Sequence, residues 1–570
     1  MKARISNGRP IAAAQRLLPG YGLLLASMVV LTSGFAQALT SPTLVQDIRP
    51  GSEGSYPQNF LPLGNKVFFV ANNGVNGNEP WVSDGTTAGT MILQDVWAGA
   101  GSGFNVGCPS CNAIGAGSVV YFSAYNGTGG SRLWRTDGTT AGTSLVYADA
   151  TAFDLEKVGG TIYFGGSPSG FSQGFLFTSD GTPGGTAQVT SNVYYGSGLT
   201  DVGGTAFFMG ATGSTGDELW KSNGTEGTTG MIKDMSPGSS SSYLWFLTNV
   251  GGTLFAYGSA GPDAGLFKSD GTSAGTFLLK SLQMGASQFE TGQILDVNGT
   301  AFLIASDGTT GMELWKSDGT IGGTVLVKDI LPGAGGALLG SRLVAIGGTV
   351  YFAATDGVVG MELWKSDGTA AGTVLVKDIF LGSGNFGSSN PAGLAAVNGK
   401  LLFRAQATVP GGTQPWMSDG TEAGTTQIAV MNPDPGGNCA AESFMLAGSN
   451  VLFSGTSSST SDIELWVMSD APVGVSPSDA SASPSIALSQ NYPNPVRTDT
   501  QIAYSIPAGQ HVVLKLYDVS GREVKTLVNS MQSAGTHRVD LNAADLPSGA
   551  YVYRLQTGSV VEQKKMMLIH

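Results

Sequence analysis

Glu362-Leu363-Trp364-Lys365-Ser366-Asp367-Gly368-Thr369-Ala370-Ala371-Gly372-Thr373-Val374-Leu375-Val376-Lys377-Asp378-Ile379 decides how this chain folds, because it returns almost unchanged from Glu313 to Ile330. Looser copies carry their aromatic at Trp81, Trp134, Phe177, Trp220, Phe267, Trp416 and Trp466. With Trp315 and Trp364 that makes nine copies, spaced 43 to 53 residues apart. Seven of the nine tryptophans sit at this one position, so the spacing is a structural period rather than an accident of composition.

Each unit reads as four short strands. Around the quoted copy, Arg342–Ile346 is a first strand, Gly347-Gly348 a turn and Thr349–Ala354 a second strand. Met361–Ser366 and Thr373–Ile379 follow as the third and fourth. The corner between the last two is Asp318-Gly319-Thr320 in one copy and Asp367-Gly368-Thr369 in the next. Asp accepts hydrogen bonds from nearby amides, and Gly takes positive φ without a Cβ penalty. Leu and Trp alternate along the third strand, so both faces of each sheet are apolar.

The last copy stops at Glu464-Leu465-Trp466-Val467-Met468-Ser469-Asp470 without a fourth strand. Thr43-Leu44-Val45-Gln46-Asp47-Ile48 matches the missing one and is expected to complete it, removing an open sheet edge. The expectation is an all-β chain: a β-propeller of about eight or nine four-stranded blades closed by the N-terminal strand, followed by a small C-terminal β-sandwich. Two smaller rings are the alternative.

The repeat resembles the exported bacterial proteins defined by a Glu-Leu-Trp, Asp-Gly-Thr repeat, over about three-quarters of the chain. That resemblance implies secretion and carries no catalytic residues across.

Composition fits this reading. The chain has 86 glycines, 12% charged residues and 41% hydrophobic residues, a balance that folds rather than staying disordered. Its formal charge of −13 argues against nucleic acid and against anionic lipid. Residues 1–38 read as a signal peptide: Lys2, Arg4, Arg9 and Arg16 precede the apolar run from Gly22 to Leu31, and Ala36-Gln37-Ala38 offers the cleavage site. The apolar stretch from Tyr21 to Phe35 is short for a membrane anchor, so no stable transmembrane segment is expected. The three cysteines are odd in number; Cys108 and Cys111 close a small disulfide, or one of them pairs with Cys439.

Residues 39–470 form the repeat region, 471–485 a Ser/Pro/Ala-rich linker and 486–570 a separate domain. In that domain Asn491-Tyr492-Pro493-Asn494-Pro495 comes first. Asp518, Gly521 and Arg522 follow, then Gly549 and Tyr551, then Lys564 and Lys565. Alternation at Val512, Leu514 and Leu516 predicts half-buried strands of a sandwich. The whole segment resembles the type A C-terminal sorting domain of the type IX secretion system. The resemblance implies recognition by that translocon and its sorting machinery, removal of the domain, and a secreted or surface-attached product.

Chemistry is sparse. All three histidines, His511, His537 and His570, lie in the sorting domain, which removes Ser-His and Cys-His pairs from the repeats. Most repeat acids occupy the Asp-Gly-Thr turn. A turn supplies one carboxylate where calcium wants roughly six to eight oxygens, so no cofactor or metal is expected, calcium being the weak alternative. Enzymatic activity is not indicated. A carbohydrate-cleaving enzyme would need acids outside the turn, such as Asp154, Glu156 or Glu290, to meet in one pocket.

The second-to-third and fourth-to-first connections vary in length and carry the odd aromatics: Trp97, Tyr194, Tyr195, Tyr243, Trp245 and Phe386. Variable loops on a rigid scaffold are where binding concentrates. An exported or cell-surface module binding a glycan or a protein is the leading expectation. A structural, self-associating exoprotein is second.

Overall fold

The structure is a computed structural model describing residues 39–104, 113–168, 173–261, 263–283, 293–338, 340–381, 387–408, 411–434, 436–458, 462–469, 487–488, 491, 496, 498–506, 510–519, 521–532, 535–557 and 560–569. The leader over 1–38 and the linker over 471–485 lie outside the described residues, as do Cys108 and Cys111. The chain divides into two compact units between Val473 and Gly474.

Among its described residues the first unit is antiparallel β apart from one short 3-10 turn, Glu226–Thr228. Among the described residues it contains nine four-stranded stacks, with innermost strands beginning at Gln58, Ala113, Phe153, Tyr194, Tyr243, Ile294, Val344, Ala392 and Glu442. The third and fourth are joined by a single pairing, Phe175 with Tyr194. Each innermost strand neighbours the next in chain order, and the one beginning at Glu442 neighbours the one beginning at Gln58. The arrangement is propeller-like.

Alternation within the repeat explains the stacking. In the seventh sheet Trp364 and Phe352 share a core with Phe302, Ile304 and Leu314 of the sixth. Leu363 and Tyr351, on the other face, share a core with Leu401, Phe403 and Trp416 of the eighth. One strand thus buries its odd residues against one neighbour and its even residues against the other. The first and ninth sheets interlock in the same way, with Phe69 and Trp81 packed among Val45, Leu452, Leu465 and Val467.

The ninth sheet takes its fourth strand from the start of the chain: Thr43–Gln46 pairs antiparallel with Glu464–Ser469. The Glu464 carboxylate fastens the stretch just beyond that strand, accepting from the amides of Ile48 (2.9 Å), Arg49 (3.3 Å) and Ser55 (2.8 Å).

The repeated corner is built from its own side chains. Asp367 Oδ1 accepts from Thr369 N (2.8 Å) and Thr369 Oγ1 (2.7 Å), Gly368 adopts φ +86°, and the Ser366 and Thr373 hydroxyls meet at 2.8 Å across the base. The same Ser/Thr pair closes the corner in six other sheets, from Ser83–Thr90 to Ser418–Thr425, and Thr136–Thr143 does so in the second. These residues satisfy the geometry of the turn itself.

The second unit holds a three-stranded sheet (Ala487–Leu488, Asp499–Ile506, Gly535–Asn542). It also holds a four-stranded sheet built from Glu523–Gln532, Gln510–Asp518, Gly549–Thr557 and Val560–Leu568. Ile502 and Tyr504 of the first share one core with Leu514, Leu516, Tyr553 and Leu555 of the second. The unit is therefore a β-sandwich.

Candidate functional site

The innermost strands share a register position four residues before the strand end, and in the sheets that border a central cavity this position lies at its mouth. In six sheets this residue has positive φ: Asn59 (57°), Asp154 (51°), Gly198 (78°), Phe246 (55°), Gly393 (63°) and Ser443 (59°). Each sits within a shift of register between the first and second strands, that is, in a bulge. A left-handed bulge re-aims its side chain and sharpens the local twist. Gly adopts it freely; Phe246 does so against its Cβ, a strain that the surrounding fold must hold.

The cavity, about 760 Å³, lies against the first, sixth, seventh, eighth and ninth sheets, touching the second only at Ala113. Asn59, Gln293, Arg342 and Ser443 form its collar, at the mouth position, and Leu61, Leu295, Val344, Ala395 and Met445 form its floor, two residues further along each strand. Floor positions in the third, fourth and fifth sheets are Glu156, Thr200 and Thr248, so the apolar side of the circuit is the side with the cavity. Asn59 Oδ1 and Gln293 Oε1 are buried without a hydrogen-bond partner. Arg342 is exposed and makes no ion pair or hydrogen bond among the described residues, whereas Glu442 at the same mouth is paired with Arg404.

The acids outside the turns have distinct environments. Asp154 is consumed structurally: its Oδ2 accepts from the Tyr195 hydroxyl, from Gly198 N (2.8 Å) and from Leu199 N (3.3 Å). Glu156 is half-buried, and burial, with Asp201 and Asp154 adding repulsion, pushes its carboxyl up to about 7. Glu290 lies outside the described residues. The acids of the Asp-Gly-Thr turns, Asp367 and Asp318 among them, are held below the usual carboxylate range, first by the hydroxyl of the following Thr. Among the described residues no three His, Cys, Asp or Glu side chains gather as a metal site.

The aromatics proposed from sequence part company here. Tyr243 and Trp245, two apart on one strand, are 58% and 48% exposed. Trp97 is partly exposed and meets Tyr125 edge-on at 4.7 Å. Tyr194 is half-buried against Phe175. Tyr195 is buried between Phe153 and Phe208, with its hydroxyl given to Asp154, so it is a core residue. Phe386 lies outside the described residues. The structure places Tyr243 and Trp245 on one strand and leaves Trp97 in the connection between the first and second sheets.

Sequence reading missed the first residue of the repeat. Glu362 is fully buried and accepts from Ile379 N (2.9 Å), Ser389 N (2.8 Å) and Ser389 Oγ (2.6 Å), pinning the fourth-to-first connection. Glu79, Glu218, Glu313 and Glu464 do the same in their sheets, and Gln414 substitutes in the eighth. Burial pushes the Glu79 and Glu362 carboxyls up to about 7 against the pull of those amides. An acid repeated on an otherwise apolar strand was the available signal.

Among the described residues Cys439 has no disulfide partner; it is buried, and burial pushes its thiol up to about 11. In the second unit Asp518, Gly521 and Arg522 make the corner of a hairpin: Arg522 N and Nε both donate to the Asp518 carboxylate (3.1 Å each), and Gly521 takes φ +83°. The Tyr551 hydroxyl donates to Pro547 O at 2.7 Å, and Asn491 N donates to the Tyr553 hydroxyl oxygen at 2.6 Å. Lys564 and Lys565 lie opposite Tyr553 and Val552 on the last strand, while Tyr492, Pro493, Asn494 and Pro495 lie outside the described residues.

Residues 490–569 match the secretion system C-terminal sorting domain. That domain is the handle of type IX secretion cargo, which meets the type IX machinery and is exported to the cell surface or extracellular space. No helix among the described residues is long and apolar enough to cross a membrane. No curated protein matches the chain significantly in sequence.

Solved structures match weakly. A puromycin hydrolase is 12% identical over 65% of this chain, at a TM-score of 0.35, and the chain spans 61% of its length. A puromycin-hydrolyzing peptidase of Mycobacterium tuberculosis is 13% identical over 66% of this chain and 61% of its own, at 0.36. PorZ, a surface component of the type IX secretion system of Porphyromonas gingivalis, is 13% identical over 90% of this chain and 75% of its own, at 0.30. Scores this low carry no argument about activity.

Proposed function

We propose that the first unit is a nine-bladed propeller of Glu-Leu-Trp, Asp-Gly-Thr repeats, delivered outside the cell by its sorting domain to act as a binding or adhesion module for a glycan or protein. The exposure of Tyr243 and Trp245 side by side carries this reading. Two large rings left in water on one strand resemble a contact surface more than a packing remnant. Aromatic faces stack on sugar rings or dock into apolar pockets of a partner. The strained Phe246 beside them supports it, since strain is retained where the surrounding structure holds a site in shape.

The test is a glycan array and a surface-protein panel screened with the full chain and with the Tyr243→Ala, Trp245→Ala double variant. At least a tenfold loss of the strongest signal in the variant is expected. Equal binding by both proteins across every positive would remove the reading.

A further inference from the structure

The central cavity is a second candidate site, separate from the aromatic rim, and we infer that it takes an anionic amphiphile: a carboxylate-bearing molecule with an unbranched aliphatic body. The inference does not depend on the rim. Its basis is the layering of the cavity along each innermost strand. Mouth positions supply the exposed Arg342 guanidinium, alongside Asn59, Gln293 and Ser443. Floor positions supply Leu61, Leu295, Val344, Ala395 and Met445, all only half-buried. Apolar side chains drawn from five sheets and left facing a common void of about 760 Å³ form the kind of surface that a ligand covers.

Charge selects the head group. Arg404 and Glu442 neutralise one another at the mouth, so among the described lining residues the unpaired charge is the cation of Arg342. A guanidinium matches a carboxylate geometrically as well as electrostatically. Shape selects the body. Phe60 and Phe444 stand behind the floor but are buried, so the floor shows aliphatic groups and no open ring on which a sugar would stack.

Isothermal titration of the full chain with dodecanoate, below its micelle threshold, tests this, with dodecanol as the uncharged control. We expect one dodecanoate per chain and at least tenfold weaker binding of dodecanol. Arg342→Ala should weaken dodecanoate at least tenfold and leave dodecanol unchanged. Leu295→Asn should weaken both, and the Tyr243→Ala, Trp245→Ala variant should bind dodecanoate normally. Absence of binding to the unaltered chain would overturn the inference. So would binding of several molecules per chain that Arg342→Ala and Leu295→Asn leave unchanged. Loss of dodecanoate binding in the rim variant would also overturn it, because the two sites would then not be separate.

Discussion

Leu44 lies directly opposite Trp466 in an antiparallel pair, so the start of the described chain is the fourth strand of the ninth sheet. Removing Thr43–Ile48 would expose the edge strand Glu464–Ser469 and strip the Ile48 amide from the Glu464 carboxylate. Open edges recruit other strands. The truncated protein is expected to elute as dimers and larger species in size-exclusion chromatography with light scattering. A truncated protein that stays monomeric would show that the pairing is dispensable.

Trp364 is 5% exposed and bridges the sixth and seventh sheets. Trp364→Ala removes a whole buried ring, a change that costs about 3–5 kcal/mol in well-packed cores. Trp466 is half-buried and open to solvent on one side, with Nε1 donating to Gly455 O at 2.9 Å. Trp466→Ala is therefore expected to cost less. Urea titration of both variants checks the order.

Mild acid should stabilise the repeat unit. The Glu79 and Glu362 carboxyls hold their protons up to about 7, against an ordinary 4.5, because burial penalises the charge. The folded state binds these protons more tightly than the unfolded one. Their contribution is fully present below about pH 4.5 and disappears as the pH rises through 7. A tenfold difference in proton affinity between the two states corresponds to about 1.4 kcal/mol. The urea midpoint is expected to be higher at pH 5.5 than at pH 8, and Glu362→Gln should narrow the difference. A flat profile in the unaltered chain would contradict this.

Gly368 at φ +86° is the pivot of its corner, and a Cβ there would come within 3.0 Å of Phe302. Gly368→Ala is expected to cost about 1–3 kcal/mol in backbone strain. Gly322, with no neighbour within 4 Å and no positive φ, is the control: its alanine variant should be near neutral. Thermal unfolding of the two separates backbone conformation from the mere addition of a methyl group.

The Cys439 thiol sits in the core with its acidity suppressed to about 11. In a Cys108→Ser, Cys111→Ser background the native protein should not react with a thiol reagent at pH 8, and full reaction should appear only in denaturant. Thiolate, not thiol, is the nucleophile, so burial and raised pKa act together.

The sequence by itself determined the period, the four-strand unit, the corner chemistry and the pairing of Leu44's strand with the last repeat. These are local matters: alternation, turn residues and a strand missing from one end and present at the other. It also marked out residues 486–570 as a sorting domain, because those motifs are contiguous in the chain, and residues 490–569 match that family. Only the tertiary structure decided which aromatics face water. Tyr194 and Tyr195 are adjacent, yet neither shares the exposure of Tyr243 and Trp245, since the bulge at Gly198 and the carboxylate of Asp154 turn Tyr195 inward. The collar and floor of the cavity were likewise unreadable, because Asn59, Gln293 and Arg342 belong to three different repeats. No pattern within one repeat reports what the equivalent residue of a distant repeat will face; packing around a shared centre sets that.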